Sequence, residues 1–412
     1  MSAGNAFLAD VSIAQACADH LVEKRDGILR VLTEFESHEA ATEELDSSID
    51  TLRNLHRELV HLRRGSVETV AVFLPINLPL YSLILFAAVP SLMAHRVDVR
   101  LPAATPDWVL AVADAAGLDR FFPRLHLHRV TRRQFIDNFA SYASAVVFTG
   151  RYDSAEQVRG QCPDSLFIFQ GSGVNPIVIG PAAHLDEDIV DRMVTTRIFN
   201  GGQDCAAPDV FLVHESQASS FVSSVVDQLG KQRFGGFDDP EVRIGPLLNE
   251  GPLHEIDERL RELAADIVVG GKVDHDLAFV EPTVIVRPIA EHDELYEFFA
   301  PIFYVLVYEN DDDLGRFFDR QEFVEKSMYV SLFGQQAPPT LFETSTVLFN
   351  MTVLDVEQGN TAFGGCGAKS NYVALEDDVF VGPGLISEAL GRIAAPTTPR
   401  TLSLSRSKEL VA

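Results

Sequence analysis

Reactive side chains in this sequence gather in one stretch, Phe199-Asn200-Gly201-Gly202-Gln203-Asp204-Cys205-Ala206-Ala207-Pro208, followed at once by the strand-like Val210-Phe211-Leu212-Val213-His214-Glu215. A thiol between a Gly-Gly turn and a β-rich run can be presented on a loop. Glycines let the backbone approach a ligand closely, and N–H groups beside the thiol stabilise a thiolate or an oxyanion formed next to it. Cys205 is therefore read as a nucleophile. The bland alternative is one more small buried hydrophobe. The other cysteines, Cys17, Cys162 and Cys366, are scattered with no CxxC pair, so neither a disulfide framework nor a metal site is expected. Cys366 follows a Gly-Gly pair and is read as packing rather than as a second redox thiol.

The run Asn200-Gly201-Gly202-Gln203-Asp204-Cys205 resembles the catalytic-cysteine motif of the aldehyde dehydrogenase superfamily, in which Gly-Gln-x-Cys precedes a strand ending in a Val-His-Glu-like sequence. Further segments between about Val67 and Tyr372 resemble the same family, in its order. Pro75-Ile76-Asn77-Leu78-Pro79 is similar to its Pro-Trp-Asn-Phe-Pro element. This implies that the Asn77 amide donates to the oxyanion formed on the substrate, with Pro75 beside the cofactor. Arg100 opens a segment similar to Lys-Pro-Ala-Glu-x-Thr-Pro, whose lysine contacts the adenosine ribose, and a guanidinium could equally reach a 2′-phosphate. Phe148-Thr149-Gly150 resembles the Phe-Thr-Gly-Ser turn, which implies cofactor contacts for Thr149 and Gly150. Arg151 departs from that pattern, as does Ala155 where a second glycine is usual. Either Arg151 meets cofactor phosphate or the diphosphate lies differently.

Three more matches complete the resemblance. The run from Ile168 to Ile179 aligns on Pro176 with Glu-Leu-Gly-Gly-Lys-x-Pro, which puts Gln170 where hydrolytic members carry a glutamate. That carboxylate takes a proton from the deacylating water, and a neutral amide cannot. Glu297-Phe298-Phe299-Ala300-Pro301 is similar to Glu-Ile-Phe-Gly-Pro, implying that Glu297 holds the nicotinamide ribose while Phe299 packs on the ribose or ring. Ala362-Phe363-Gly364-Gly365 resembles Pro-Phe-Gly-Gly, with Phe363 as a wall of the substrate tunnel.

The chemistry implied is covalent: Cys205 adds to an aldehyde, hydride passes to NAD or NADP, and a thioester remains. With Gln170 in place of the base, three readings follow. The thioester exchanges with coenzyme A, a carrier-protein thiol or an acyl phosphate, or is formed from such a donor and reduced. Alternatively, a different base supports hydrolysis to the acid. The third reading is a non-catalytic binding protein on the same fold. An acyl carrier protein enters as a partner only under the first.

The elements that must position these residues are legible as alternating strands and helices. Val67–Leu74, Arg96–Val99 and Ala145–Gly150 read as strands, and Val11 to about Leu45 as helices with a stripe of Ile13, Ala16, Cys17, Leu21, Ile28, Val31 and Leu32. A further helix is expected over Ser48–Arg64. The expected architecture is α/β and aldehyde-dehydrogenase-like. A Rossmann-like cofactor domain spans 1–171 with abbreviated N-terminal helices, an α/β catalytic domain spans 172–372, and a C-terminal return and tail spans 373–412, with a small oligomerisation element.

Composition narrows the partners. With 60 acidic against 33 basic residues and a net charge of -27, the overall field repels polyanions, so nucleic acid and anionic membranes are unfavoured. The N-terminus lacks a signal-peptide pattern, and the apolar window Leu74–Leu92 is interrupted by Pro75, Asn77, Pro79 and Pro90. A soluble, cytoplasmic homodimer or tetramer acting on a small aldehyde or acyl thioester is the expectation.

Overall fold

The computed structural model describes residues 3–171, 173–249, 251–290, 295–335 and 342–395, with side chains from residue 11 onward. The Pro/Thr/Ser-rich tail from residue 396 lies outside the described residues. Five strands alternate with helices in the first part of the chain: β1 (Val67–Phe73), β2 (Ala94–Arg100), β3 (Leu125–His128), β4 (Ala145–Gly150) and β5 (Leu166–Gly171). They run parallel in the order β5-β4-β1-β2-β3, so the direction of travel across the sheet reverses between β1 and β4. A doubly wound sheet receives its ligand at the carboxyl ends of the strands flanking such a reversal. The chain later returns to this sheet, where Asn371–Leu375 and Asp378–Val381 add antiparallel beside β5. A boundary drawn after Tyr372 thus cuts the first of these strands.

A second seven-stranded sheet begins with β6 (Pro176–Ile179) and β7 (Val210–His214). Strands Thr283–Pro288, Ile302–Tyr308, Tyr329–Phe333 and Thr346–Phe349 join them in parallel, and Ile267–Val269 closes one edge antiparallel.

Both sheets are covered on both faces, and the period-two alternation of side chains shows how. In β1, Val70 and Val72 enter the core shared with the N-terminal helices, while Ala71 and Phe73 enter the opposite core with Phe135 and Ile136. In β7, Val210 and Leu212 face one core and Phe211 and Val213 the other.

The N-terminal region forms helices Ala3–Glu23, Arg25–Leu32 and His38–Arg53. Cys17, Leu21, Ile28 and Leu32 are buried as the helical spacing suggests, and Ala14 and Ala18 complete the inward face. Ala16 points outward instead: inward positions recur every three or four residues, so a stripe through 14, 17, 18 and 21 leaves 16 on the far side. The helix expected over Ser48–Arg64 breaks at Asn54, the C-cap of His38–Arg53, and resumes as two short turns. The indole of Trp108 donates to the Val31 carbonyl at 2.8 Å, pinning helix Pro106–Ala115 to this layer.

The apolar window after β1 folds as helix Pro79–Leu83, a π turn Ile84–Ala88 and helix Val89–Ser91. Leu80, Leu83, Ile84, Ala87 and Ala88 are fully buried in the protein core. Among the described residues no helix is long and apolar enough to cross a membrane.

Candidate active site

Helix Glu187–Ile198, capped by Asp186 accepting from the Ile189 N–H, delivers the chain to the cysteine loop. There the backbone turns left-handed for three residues, Asn200, Gly201 and Gly202, at φ 48°, 67° and 79°. Glycine is required at 202, where a Cβ would lie 2.5 Å from the Ala300 carbonyl carbon. Fully buried Arg197 clamps the loop: its guanidinium donates to the carbonyls of Pro208 (2.9 Å), Gly202 (3.3 Å) and Ala300. Asn175 holds the other side, its amide donating to the Cys205 carbonyl at 2.9 Å while its own N–H donates to Asp209 at 2.9 Å. The cysteine backbone is therefore fixed by polar contacts from two elements, and its side chain opens into a cavity of about 740 Å³.

Burial raises the Cys205 thiol well above its ordinary value, and the carboxyls of Asp204, Glu357 and Glu297 push it the same way. A thiol raised in this way needs a proton acceptor to form the thiolate. Asp204 stands next to it: its carboxylate accepts from the Ala206 N–H at 2.9 Å and from the thiol itself. Burial raises Asp204 too, opposed by those donors and by Arg197. Glu357 also lines the cavity and is pushed up to about 8, first by burial and then by Asp204 and Glu43.

The residues singled out from the sequence all line this one cavity: Cys205, Asn77, Gln170, Glu297, Phe299, Arg100, Pro75, Thr149, Gly150, Arg151 and Phe363. Their present partners differ in what they leave free. One N–H of the Asn77 amide is donated to the Gln203 carbonyl at 3.0 Å, which places the amide against the cysteine loop with a second N–H to spare. Gln170, at the end of β5, donates to the Gly384 carbonyl at 3.0 Å. The Thr149 hydroxyl is used within the sheet, on the Phe73 carbonyl at 3.0 Å. Arg151 pairs loosely with Glu255 of helix Leu253–Glu262 at 3.6 Å, both side chains more than half exposed. Phe299 adopts a left-handed backbone (φ 49°) in the loop that also carries Glu297. Phe363 meets Tyr329 edge-on, ring centres 5.7 Å apart.

Among the lining residues that escaped the sequence reading are Glu58, Tyr81, Arg132 and Glu357. Glu58, almost wholly buried, accepts from Asn360 and Ser387, both at 2.6 Å, and burial raises its carboxyl. Arg132 opens helix Arg132–Asn138 close to Arg100, whose guanidinium is depressed first by burial and then by Arg132. The Arg100 Nε is buried without a hydrogen-bond partner. A single acid or arginine in a chain so rich in charge carries no local signal. Only Glu357, six residues before the Phe-Gly-Gly segment, lay near a stretch already under scrutiny.

Comparison with known proteins places this geometry. The family model described as the aldehyde dehydrogenase family matches residues 10–370. The chain is 28% identical over 259 residues to succinate-semialdehyde dehydrogenase [NADP(+)] of Mycobacterium avium (strain 104), covering 59% of this chain and 53% of that protein. It is 29% identical over 264 residues to succinate-semialdehyde dehydrogenase [NADP(+)] 1 of Mycobacterium tuberculosis (strain ATCC 25618 / H37Rv), covering 61% and 57%. The chain thus spans about half the length of the curated relatives it matches. Among solved structures, GapN of Methanocaldococcus jannaschii DSM 2661 with NADP superposes at a TM-score of 0.77 with 18% identity, covering 94% of this chain and 88% of that one. Succinate-semialdehyde dehydrogenase from Burkholderia pseudomallei also gives 0.77, at 17% identity and 93% and 83% coverage. A family match running through the cysteine loop and both sheets makes this chain a member of the aldehyde dehydrogenase family.

Proposed function

We propose that this enzyme oxidises an aldehyde, or reduces the corresponding acyl thioester, through a covalent adduct on Cys205 with NADP as hydride carrier. The observation that carries the reading is a single cavity that holds a loop-mounted thiol together with an amide donor, Asn77, and a cluster of cofactor-suited groups. Asp204 takes the thiol proton, Cys205 Sγ adds to the carbonyl carbon, and the spare Asn77 N–H stabilises the oxyanion. A nicotinamide held in the cavity would supply the hydride acceptor, and Cys205 would then carry the acyl group as a thioester.

The chain's residues fit such a cofactor. Thr149-Gly150 end β4 and Pro75 follows the end of β1, the two strands flanking the sheet reversal, and Glu297 and Phe299 line the same cavity. The neighbouring guanidiniums of Arg100 and Arg132, with Arg100 Nε unsatisfied, suit a doubly charged phosphate better than a ribose hydroxyl. That favours NADP over NAD. Arg151 is held only by an exposed ion pair, worth at most about 1 kcal/mol, so turning it toward a cofactor phosphate costs little.

Release of the acyl group separates two readings. Gln170, neutral and bonded to a carbonyl, supports transfer to a thiol such as coenzyme A or a carrier-protein thiol. Glu357, a cavity acid shifted toward neutrality, supports the second reading, in which it takes the proton of the deacylating water. Mixing the enzyme with aldehyde and NADP and following intact mass decides between them. An acyl adduct on Cys205 that persists until coenzyme A is added supports transfer; prompt free acid, abolished in Glu357→Gln, supports hydrolysis. Under transfer, Gln170→Glu should raise hydrolytic release by roughly 10²-fold or more.

The expected homodimer or tetramer finds support in the outer strand Asp378–Val381, whose Val379, Phe380 and Val381 are exposed along an open sheet edge.

A further inference from the structure

We propose that the aldehyde this site selects carries a positive charge, an ammonium or comparable cation held at the acyl end of the cavity by Glu357 and Asp204. The inference rests on the aldehyde reading above and names its substrate class. Apart from Glu255, which pairs with Arg151, and the buried Glu58, charges around the cavity are sorted by sign. Its arginines, Arg100, Arg132 and Arg151, sit at the ends of β2 and β4 and the start of helix Arg132–Asn138, on the cofactor sheet. Arg100 has Arg132 for its charged neighbour, and Arg151 pairs with Glu255. Around Cys205 the ionisable neighbours are acids instead: Asp204, Glu357 and Glu297.

Among the described residues no cation acts on Glu357, and one, Arg197, acts on Asp204. Glu357 is acted on only by Asp204 and Glu43, both of which raise it further. Arg197 offsets Asp204 in part, while its two terminal nitrogens donate to the carbonyls of Pro208, Gly202 and Ala300 rather than to that carboxylate. Two neighbouring acids without a balancing cation at Glu357 are costly to ionise, and a guest cation relieves that cost by drawing both into their charged forms. The walls beside them are aromatic. Tyr81 and Phe363 line the cavity here, and a ring face attracts an ammonium. A carboxylate-bearing aldehyde would meet only repulsion at the same place. A cation seated there would also offset the acids that hold the Cys205 thiol protonated, coupling recognition to formation of the nucleophile.

The test uses three aldehydes of nearly equal size: 3-aminopropanal (cationic), butanal (neutral) and 3-oxopropanoate (anionic). With NADP, kcat/KM should fall in that order, with the cationic compound favoured by about tenfold or more over the neutral one. In Glu357→Gln, and independently in Asp204→Asn, the ratio of cationic to neutral should shrink toward one. Equal values for the three, a preference for the anion, or a cation preference untouched in both variants would overturn the proposal. A second arm needs no turnover: alkylation of Cys205 by 2-bromoethylammonium, iodoacetamide and iodoacetate, each rate divided by that of free cysteine. The same order is expected. If no aldehyde is oxidised but the alkylation order holds, the aldehyde reading fails while the charge selection stands; if aldehydes are oxidised and the order is absent, the reverse is concluded.

Discussion

At the scale of single residues, the site is defined by a thiol and by the buried guanidinium that holds its loop. Cys205 is the proposed nucleophile, and among the cysteines it alone lines the cavity: Cys17 and Cys162 are buried in the first sheet's cores, and burial pushes their thiols up to about 12 and 11. Cys205→Ser should abolish turnover and leave nicotinamide binding intact; retained turnover, or electrophile labelling centred on the exposed Cys366, would assign the nucleophile elsewhere. Arg197 makes three hydrogen bonds to carbonyls of two loops from a fully buried position. Removing it leaves the Pro208 and Gly202 carbonyls without donors, each costing about 1–3 kcal/mol, while Ala300 keeps the Ile302 N–H at 2.7 Å. Arg197→Met should therefore lower stability by a few kcal/mol in denaturant unfolding and cut kcat by disordering the loop. A variant as stable and active as the parent would show that neighbouring water replaces the clamp.

At the scale of elements, the N-terminal helices are tied to the site by a pair of acids. Glu36, just before helix His38–Arg53, and Glu44 within it are both buried, and Glu44 accepts from the Tyr81 N–H at 2.9 Å on the helix that follows the Asn77 turn. Burial raises both, Glu44 to about 7, with Glu44 raising Glu36 further. A carboxyl whose folded value lies above its unfolded value favours the fold when protonated. Its stabilisation is complete below the ordinary carboxyl range near 4.5 and is lost as pH rises through about 7. The melting temperature should consequently fall between pH 5.5 and pH 8. Glu44→Gln, which keeps an acceptor for Tyr81, should flatten that fall. An equally steep decline in the variant would locate the titration elsewhere.

At the scale of the whole molecule, two doubly covered sheets meet over one cavity, with its arginines on the first and most of its acids, Glu58 and Glu255 apart, around the cysteine loop of the second. The first sheet's arginines predict the cofactor. Arg100→Ala or Arg132→Ala should raise the dissociation constant for NADP about tenfold or more, the size of a lost charge-assisted hydrogen bond, and change that for NAD little. Titration calorimetry on the unliganded protein reads this directly, and equal losses for both nucleotides would mean that these residues do not meet a 2′-phosphate.

Much of this was legible along the chain. Strands buried on both faces read as apolar runs, the Gly-Gly turn announced a backbone that only glycine can follow at 202, and the ordered segments around Asn77, Gln170, Cys205, Glu297 and Phe363 resembled one family because they are local in sequence. Local spacing could not place the inward face of the first helix at Ala14 rather than Ala16, nor show that the Thr149 hydroxyl is already spent on Phe73. Nor could it single out Glu357, Glu58, Arg132 or Arg197 among dozens of charged residues. Their properties come from burial and from neighbours distant in sequence: Glu58 meets Asn360 and Ser387, and Arg197 reaches Ala300. A side chain's charge state and partners depend on the dielectric and the groups around it, and those exist only once the two sheets have closed over the cavity.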